Sequence, residues 1–249
     1  MHYLDHPVVT ERYFFPREGA LPRTFWVQGP AGRLACYYEA PHPEARTVVH
    51  FHGNGEIVAD YVPDMADAFT SMGVNVLFAE YRGYGASDGE PSLVGMLDDV
   101  DAIFSALGLP PERLVVFGRS VGSIYAIEMV HRHPRIWGLV LESGIADVLQ
   151  RVLLRVDPAE LGTTEAVLAQ EAARHFDHRR KLGAYSGKLL VLHGRHDELV
   201  GVGHAERNHE SAKNAERRLV VFPSGGHNTL LLENGERYLD EVRRFLSEP

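Results

Sequence analysis

A glycine- and serine-containing motif, Gly118-Arg119-Ser120-Val121-Gly122, stands between an apolar run and a helical pattern. In a G-x-S-x-G motif between a strand and a helix, the serine occupies a sharp turn that exposes its hydroxyl. The helix that follows would place backbone N–H groups and the positive end of its dipole beside a developing oxyanion. The chain contains 24 glycines, so the motif taken alone is also compatible with a chance match. Its strand–turn–helix context favours Ser120 as a nucleophile.

A serine hydroxyl needs a base to remove its proton and an acid to orient that base. Asp197 follows the penultimate apolar run, and His227 follows the last one after two glycines. With Ser120, they give the chain order of serine, acid and histidine that such a motif requires. Glu142 and Asp147 are alternative acids. We favour Asp197 because the loop after the penultimate strand can reach the base.

A second glycine-rich turn, Gly53-Asn54-Gly55, ends an earlier apolar run. Such a turn lets a backbone N–H approach the reacting carbonyl, together with the N–H of the residue after the nucleophile. We therefore predict an oxyanion hole formed by the main chain of Asn54 and Val121. The alternative is a tight turn without a chemical role.

The predicted chemistry is the cleavage of a small-molecule acyl substrate through an acyl-serine, and it requires no cofactor and no metal. His175 and His178 have the i, i+3 spacing of one helix face. We interpret them as part of an exposed polar face, because no third metal ligand accompanies them.

Short apolar runs that alternate with longer helical stretches must position these residues. Unbroken apolar runs, each followed by a helix, indicate a parallel sheet covered on both faces. Two runs around Gly29-Pro30-Ala31-Gly32 predict an antiparallel hairpin at its edge. The predicted fold class is thus α/β, a doubly wound and mostly parallel sheet with an antiparallel N-terminal edge. The predicted strands cover residues 47–51, 74–79, 114–117, 136–141, 188–193 and 218–222, and the predicted helices cover 57–72, 91–107, 120–133 and 229–246.

Residues 145–185 contain amphipathic helical patches but no strand pattern. They form either a long crossover connection or a small helical cap over the carboxyl edge of the sheet. We favour the cap, because long insertions in compact domains are usually functional. Since a chain of 249 residues can bury one large core, we predict a single domain over residues 1–249, with residues 145–185 as an insertion.

Composition excludes several classes of protein. The chain has 25 Lys+Arg and 34 Asp+Glu, a net charge of −9, so we expect no nucleic-acid partner. An anionic substrate would need local basic residues, which Arg119, Arg151 and Arg155 could supply. Cys36 is the single cysteine, which excludes an internal disulfide. No apolar stretch is long enough for a membrane span, and the N-terminus lacks a signal peptide, so we expect a cytoplasmic protein. The sequence leaves open whether it forms a homo-oligomer.

Five motifs follow one another along the chain, at residues 52–56, 80–89, 118–122, 193–197 and 226–227. Taken together and in this order, they resemble the motifs of the α/β-hydrolase superfamily. The His52-Gly53-Asn54 turn and the Tyr81–Gly85 loop resemble those of its small-esterase and depalmitoylase-like branch. The resemblance extends from about residue 47 to the C-terminus.

This resemblance implies a serine hydrolase of the carboxylesterase or thioesterase type, with an α/β-hydrolase fold and a Ser-His-Asp catalytic triad. The sequence lacks the His-Gly-Gly-Gly turn of lipases and the N-terminal cysteine cluster of depalmitoylase-like members. We therefore do not expect membrane-tethered depalmitoylation. An acyltransferase or a peptidase with the same triad is an alternative, as is a non-catalytic ligand-binding protein on the same fold.

Overall fold

A computed structural model of the protein describes residues 2–248. In this part of the chain, eight strands form one sheet in the order β1-β2-β4-β3-β5-β6-β7-β8. Strands β3 to β8 are parallel, whereas the β1–β2 hairpin joins the edge through an antiparallel pairing of β2 with β4. This confirms the predicted fold class and its antiparallel edge. The strands are β1 (Phe25–Gly29), β2 (Gly32–Glu39), β3 (Thr47–Phe51), β4 (Asn75–Ala79), β5 (Leu114–Arg119), β6 (Gly138–Glu142), β7 (Lys188–Gly194) and β8 (Glu216–Phe222).

Helices cover both faces of the sheet. Val49 and Val116 belong to a core that includes residues of α3 and α4, whereas Val48 and Val115 belong to a core with α2 and α9. Because consecutive residues face opposite buried layers, these strands appear in the sequence as unbroken apolar runs. The helices are α1 (Pro7–Tyr13), α2 (Asp64–Ser71), α3 (Asp99–Leu107), α4 (Gly122–Arg132), α5 (Val148–Leu153), α6 (Glu165–His175), α7 (His178–Ala184), α8 (Gly203–Ser211) and α9 (Leu230–Ser247).

Some helix boundaries differ from the prediction for local reasons. Helix α4 begins at Gly122 rather than Ser120, because Ser120 has φ +52° and cannot continue a helix. Helix α3 begins at Asp99, after a 3-10 turn over Gly95–Asp98. The Asp5 carboxylate holds the entry to that turn by accepting hydrogen bonds from the N–H groups of Val94 (2.7 Å) and Gly95 (3.1 Å).

The structure contains two helices, α1 and α8, that the sequence analysis did not predict. Helix α8 packs through His204, Ala205 and Asn208. Only one of these is apolar, so the helix lacks the hydrophobic stripe on which the prediction relied.

Residues 145–185 contain α5, α6 and α7 and a 3-10 turn over Pro158–Leu161, between β6 and β7. Helix α7 packs against α4 and α8. The buried Lys181 ammonium forms an ion pair with Glu128 of α4. The segment is thus attached to the helix that follows Ser120.

Candidate active site

Ser120 lies on the turn between β5 and α4. Its φ of +52° places it in the left-handed region, where a residue other than glycine is strained. The glycines of the motif let the chain pass close to its neighbours. A Cβ on Gly122 would lie 2.1 Å from the carbonyl oxygen of Phe51, and one on Gly118 would lie 2.6 Å from Ala126 Cβ. The turn therefore needs glycine at both positions.

Ser120, Asp197 and His227 follow β5, β7 and β8, whose carboxyl ends lie at one edge of the sheet. His227 Nε2 is 2.8 Å from Ser120 Oγ. His227 Nδ1 is 2.8 Å from Asp197 Oδ2 and 3.1 Å from Oδ1. All three residues are buried. The structure thus brings the three predicted side chains into one chain of hydrogen bonds.

The Asp197 carboxylate is held by more than the histidine. Its Oδ1 accepts hydrogen bonds from the N–H groups of Leu199 (3.0 Å) and Val200 (2.7 Å). Burial by itself would raise the pKa of Asp197, but the hydrogen bond and charge of His227 and the Val200 N–H lower it below its usual value. The side chain is therefore an anion oriented toward the imidazole.

His193 lies behind this carboxylate, with Nε2 3.5 Å from Asp197 Oδ2. The same nitrogen is 2.7 Å from the carbonyl oxygen of Val200, to which it donates when it carries the proton. Burial lowers the pKa of His193, so its ring is neutral near pH 7. The neutral ring therefore adds no positive charge next to Asp197.

Arg119 connects the nucleophile turn to the histidine loop. Its Nη2 donates to the carbonyl oxygen of His227 (2.9 Å) and to Asn228 Oδ1 (3.2 Å). The guanidinium also forms ion pairs with Glu56 and with Glu142, the latter at 3.2 Å. Burial opposes its charge, but these two carboxylates raise the pKa of Arg119 above its usual value. From the sequence, Arg119 is expected only to supply positive charge; its contact with the His227 loop has no local pattern that could predict it.

The two alternative acids have other contacts. Glu142 binds Arg119 through one oxygen and accepts the hydroxyl of Tyr238 at 2.5 Å through the other. Asp147 caps α5 by accepting the N–H of Gln150 at 2.9 Å. Of the three acids considered, Asp197 is the one hydrogen bonded to His227.

The Asn54 turn lies beside Ser120, but its side chain points to the N-terminal segment. Asn54 Oδ1 accepts from the N–H of Phe15 (3.1 Å) and the hydroxyl of Tyr84 (2.8 Å), and Nδ2 donates to the carbonyl of Tyr13. The neighbouring Gly53 N–H donates to Glu56. Within residues 2–248, the N–H groups of Asn54 and Val121 donate to no protein acceptor.

Comparisons with known proteins agree with this architecture. A family model described as "Serine aminopeptidase, S33" matches residues 42–164. The chain is 26% identical over 220 residues to mouse alpha/beta hydrolase domain-containing protein 17C, covering 86% of this chain and 64% of that protein. It is 28% identical over 239 residues to the Arabidopsis thaliana protein WAV2, with 90% and 78% covered. An esterase structure from Pyrococcus furiosus superposes with TM-score 0.74 at 19% identity, covering 94% and 97%.

The fold is that of the α/β-hydrolases, and the matches support a hydrolase of the α/β-hydrolase superfamily. This supports an enzyme of the hydrolase class. The chain spans less than two thirds of the length of the mouse relative. In the part that the structure describes, no helix is long and apolar enough to cross a membrane.

Arg119 lines two cavities of the structure. The one that contains Ser120 has a volume of about 140 Å³. A larger one, of about 330 Å³, lies between α2 and α9 and is lined by Met65, Phe69, Leu231 and Leu239. Asn228 also lines both cavities, so the two spaces adjoin at the Arg119 and Asn228 side of the serine. The remaining residues that line the Ser120 cavity are Tyr13, Phe15, Asn54, Arg119, Val121, Ile145, Arg151, Arg155, Leu199, Val200, His227 and Asn228.

The interpretation of His175 and His178 as one exposed face is wrong. Helix α6 ends at His175 and Asp177 caps the new helix α7, so the two histidines do not share a helix. His178 is buried, with Nδ1 2.8 Å from the carbonyl of Ile145. Among residues 2–248, one group of three side chains could hold a metal ion, and it combines His175 with His2 and Glu171.

Proposed function

We propose that this α/β-hydrolase is a serine hydrolase that cleaves carboxylic esters or thioesters through an acyl-enzyme. The hydrogen-bonded series from Asp197 through His227 to Ser120 supports this proposal. The series ends at Ser120, on a strained turn between Gly118 and Gly122. The N–H groups of Asn54 and Val121, which donate to no protein acceptor within the described residues, belong to residues that line the same cavity. The proposed nucleophile, base and oxyanion donors line one small cavity, and the proposed orienting acid is hydrogen bonded to the base.

In the first half of the reaction, His227 Nε2 removes the proton of Ser120 as Oγ attacks the acyl carbonyl carbon. The carbonyl oxygen becomes an oxyanion, which accepts hydrogen bonds from the N–H groups of Asn54 and Val121. Asp197 stabilises the resulting imidazolium and holds its tautomer. The tetrahedral intermediate then expels the alcohol or thiol, which leaves with the proton held by His227.

In the second half, a water molecule takes the place of the leaving group. His227 removes one of its protons, and the hydroxide oxygen attacks the acyl-Ser120 carbonyl. Collapse of the second intermediate returns the proton to Ser120 Oγ and releases the carboxylic acid. Arg119 keeps the His227 loop in place through its hydrogen bond to the His227 carbonyl.

We propose that residues 145–185 form a cap over this site, within one domain. Ile145 and Arg151 of this segment line the Ser120 cavity, which supports a role in shaping the substrate pocket. The volume of about 140 Å³ favours a short acyl or alcohol group next to the scissile bond.

The proposal is tested with Ser120→Ala. We expect this variant to lose at least about 10⁴-fold in kcat for p-nitrophenyl acetate and to lose labelling by a fluorophosphonate probe. The exposed Ser105 on α3 offers a matched control, and Ser105→Ala should retain both properties. Full activity of folded Ser120→Ala would refute the assignment. Failure of the wild-type protein to react with the probe would favour a ligand-binding protein.

A peptidase is the second candidate, because the matching family model is described as that of a serine aminopeptidase. Peptidase activity would use the same three side chains, with an amine as the leaving group. Faster cleavage of an aminoacyl p-nitroanilide than of the matching p-nitrophenyl ester would favour it.

A further inference from the structure

Two arginines of the segment 145–185 line the Ser120 cavity. Arg151 belongs to α5, and Arg155 lies on the turn that continues it, where its N–H donates to the carbonyl of Val152 at 2.9 Å. Residues four apart on one helical turn lie on the same side of it. Both residues therefore border the same cavity, Arg151 half-buried and Arg155 exposed.

Arg119, the third arginine that lines this cavity, and Arg12, which neighbours Arg155, already have carboxylate partners. Arg119 is paired with Glu56 and Glu142, and Arg12 is paired with Glu160 at 2.6 Å. In contrast, no carboxylate oxygen of residues 2–248 lies within 4.0 Å of a side-chain nitrogen of Arg151 or Arg155. The chain has nine more acidic than basic residues, so this absence is not due to a shortage of acids.

The acidic residues nearest along the chain are engaged elsewhere. Asp147 caps α5, and Asp157 accepts the N–H of Ala159 at 2.9 Å at the start of the next turn. These carboxylates therefore stabilise helix starts rather than neutralise the two arginines.

The Arg155 guanidinium is held in place while keeping free donors. It donates one hydrogen bond to the carbonyl of Arg12 at 3.0 Å. Its central carbon lies 5.3 Å from the ring centroid of Phe15 and 6.0 Å from that of Tyr13. A guanidinium has five N–H donors, so most remain available to a ligand. Arg151 is half-buried, and its side chain donates to no protein group within the described residues.

We propose that Arg151 and Arg155 form a subsite for a carboxylate carried by the substrate, close to the bond that Ser120 attacks. This inference rests on the proposed function and defines its substrate class: esters or thioesters with a free carboxylate. The planar guanidinium fork matches the two oxygens of a carboxylate. Because the cavity is small, that carboxylate lies within a few atoms of the scissile carbonyl.

Two matched pairs of esters test the proposal. For a charge on the leaving group, the pair is 4-acetoxybenzoate and its methyl ester; for a charge on the acyl group, it is mono-4-nitrophenyl adipate and its methyl ester. In at least one pair, we expect wild-type protein to have a higher kcat/KM for the anionic ester. In Arg151→Gln/Arg155→Gln, the anionic-to-neutral ratio should fall about tenfold or more.

Several controls separate recognition of charge from a structural effect. Arg174→Gln removes an exposed charge from α6 and should leave the ratio as in wild type. Arg151→Lys/Arg155→Lys should restore part of it, because lysine keeps the charge but not the bidentate fork. In wild-type protein, added NaCl should raise KM for the preferred anionic ester more than for its neutral partner.

The possible failures are distinguishable. If wild-type protein hydrolyses none of the four esters, the proposed function itself is overturned. If it hydrolyses the neutral esters but prefers neither anionic partner, the carboxylate subsite alone is wrong. The same conclusion follows if the preference survives in folded Arg151→Gln/Arg155→Gln. Should that variant not fold, the salt titration decides, and equal salt dependence within both pairs contradicts the subsite.

Discussion

At the scale of single residues, a substitution of Asp197 tests how much the orientation of the proposed base, His227, contributes to the rate, because the substitution leaves the base itself in place. Its carboxylate accepts hydrogen bonds from His227, Leu199 and Val200. An amide at this position keeps the shape but can present an N–H to the imidazole, which favours the wrong tautomer. We predict that Asp197→Asn lowers kcat for p-nitrophenyl acetate by about 10³- to 10⁴-fold.

Glu198 supplies a neighbouring control for this substitution, because it is exposed and adjacent to Asp197 in the chain. Glu198→Gln changes the net charge equally and should keep kcat within about twofold, since exposed charges act weakly. Circular dichroism shows whether both variants are folded. Folded Asp197→Asn with wild-type kcat would contradict the role of orienting acid.

At the scale of elements, the β5–α4 turn depends on close approach to β3. A Cβ on Gly122 would lie 2.1 Å from the backbone oxygen of Phe51, which cannot move without shifting the strand. We predict that Gly122→Ala lowers the free energy of unfolding by about 3 kcal/mol, as measured by urea denaturation. Gly201→Ala is the matched control, because a Cβ there meets nothing within 4 Å. Equal stabilities of the two variants would argue against this account.

Also at the scale of elements, the ends of strands can be predicted from the sequence, whereas contacts between distant segments cannot. Chain order and strand ends predict that Ser120, Asp197 and His227 lie near one another, because parallel strands bring their carboxyl ends to one edge, and the hydrogen bonds between the three side chains agree with that placement. The hydrogen bond from Arg119 to the His227 carbonyl joins residues 108 apart and has no local pattern. The hydrogen bonds of the Asn54 side chain to the backbone of Tyr13 and Phe15 are equally non-local. Such contacts depend on the packing of distant segments, and the hydrophobic periodicity of the sequence does not predict that packing.

At the scale of the whole molecule, burial decides which histidines couple stability to pH. A histidine at the end of α6 and another at the start of α7 appeared equivalent in sequence, yet only His178 enters the core. Burial, followed by the charge of Lys181, lowers the pKa of His178 to about 4 from 6.5. The hydrogen bond to the Ile145 carbonyl is too weak to offset this. Folding therefore favours the neutral ring.

The lowered pKa of His178 predicts acid sensitivity of the fold. Its stabilising effect is complete above the unfolded-state pKa of 6.5 and is lost as the pH falls toward about 4, because the unfolded chain binds the proton first. From pH 7 to pH 5, this one group should lower the free energy of unfolding by about 2 kcal/mol. His178→Gln, which cannot titrate, should reduce the loss measured by urea denaturation by that amount, whereas exposed His196→Gln should not. If His178→Gln lost as much stability as wild type over this interval, protonation of His178 would not be a cause of acid unfolding.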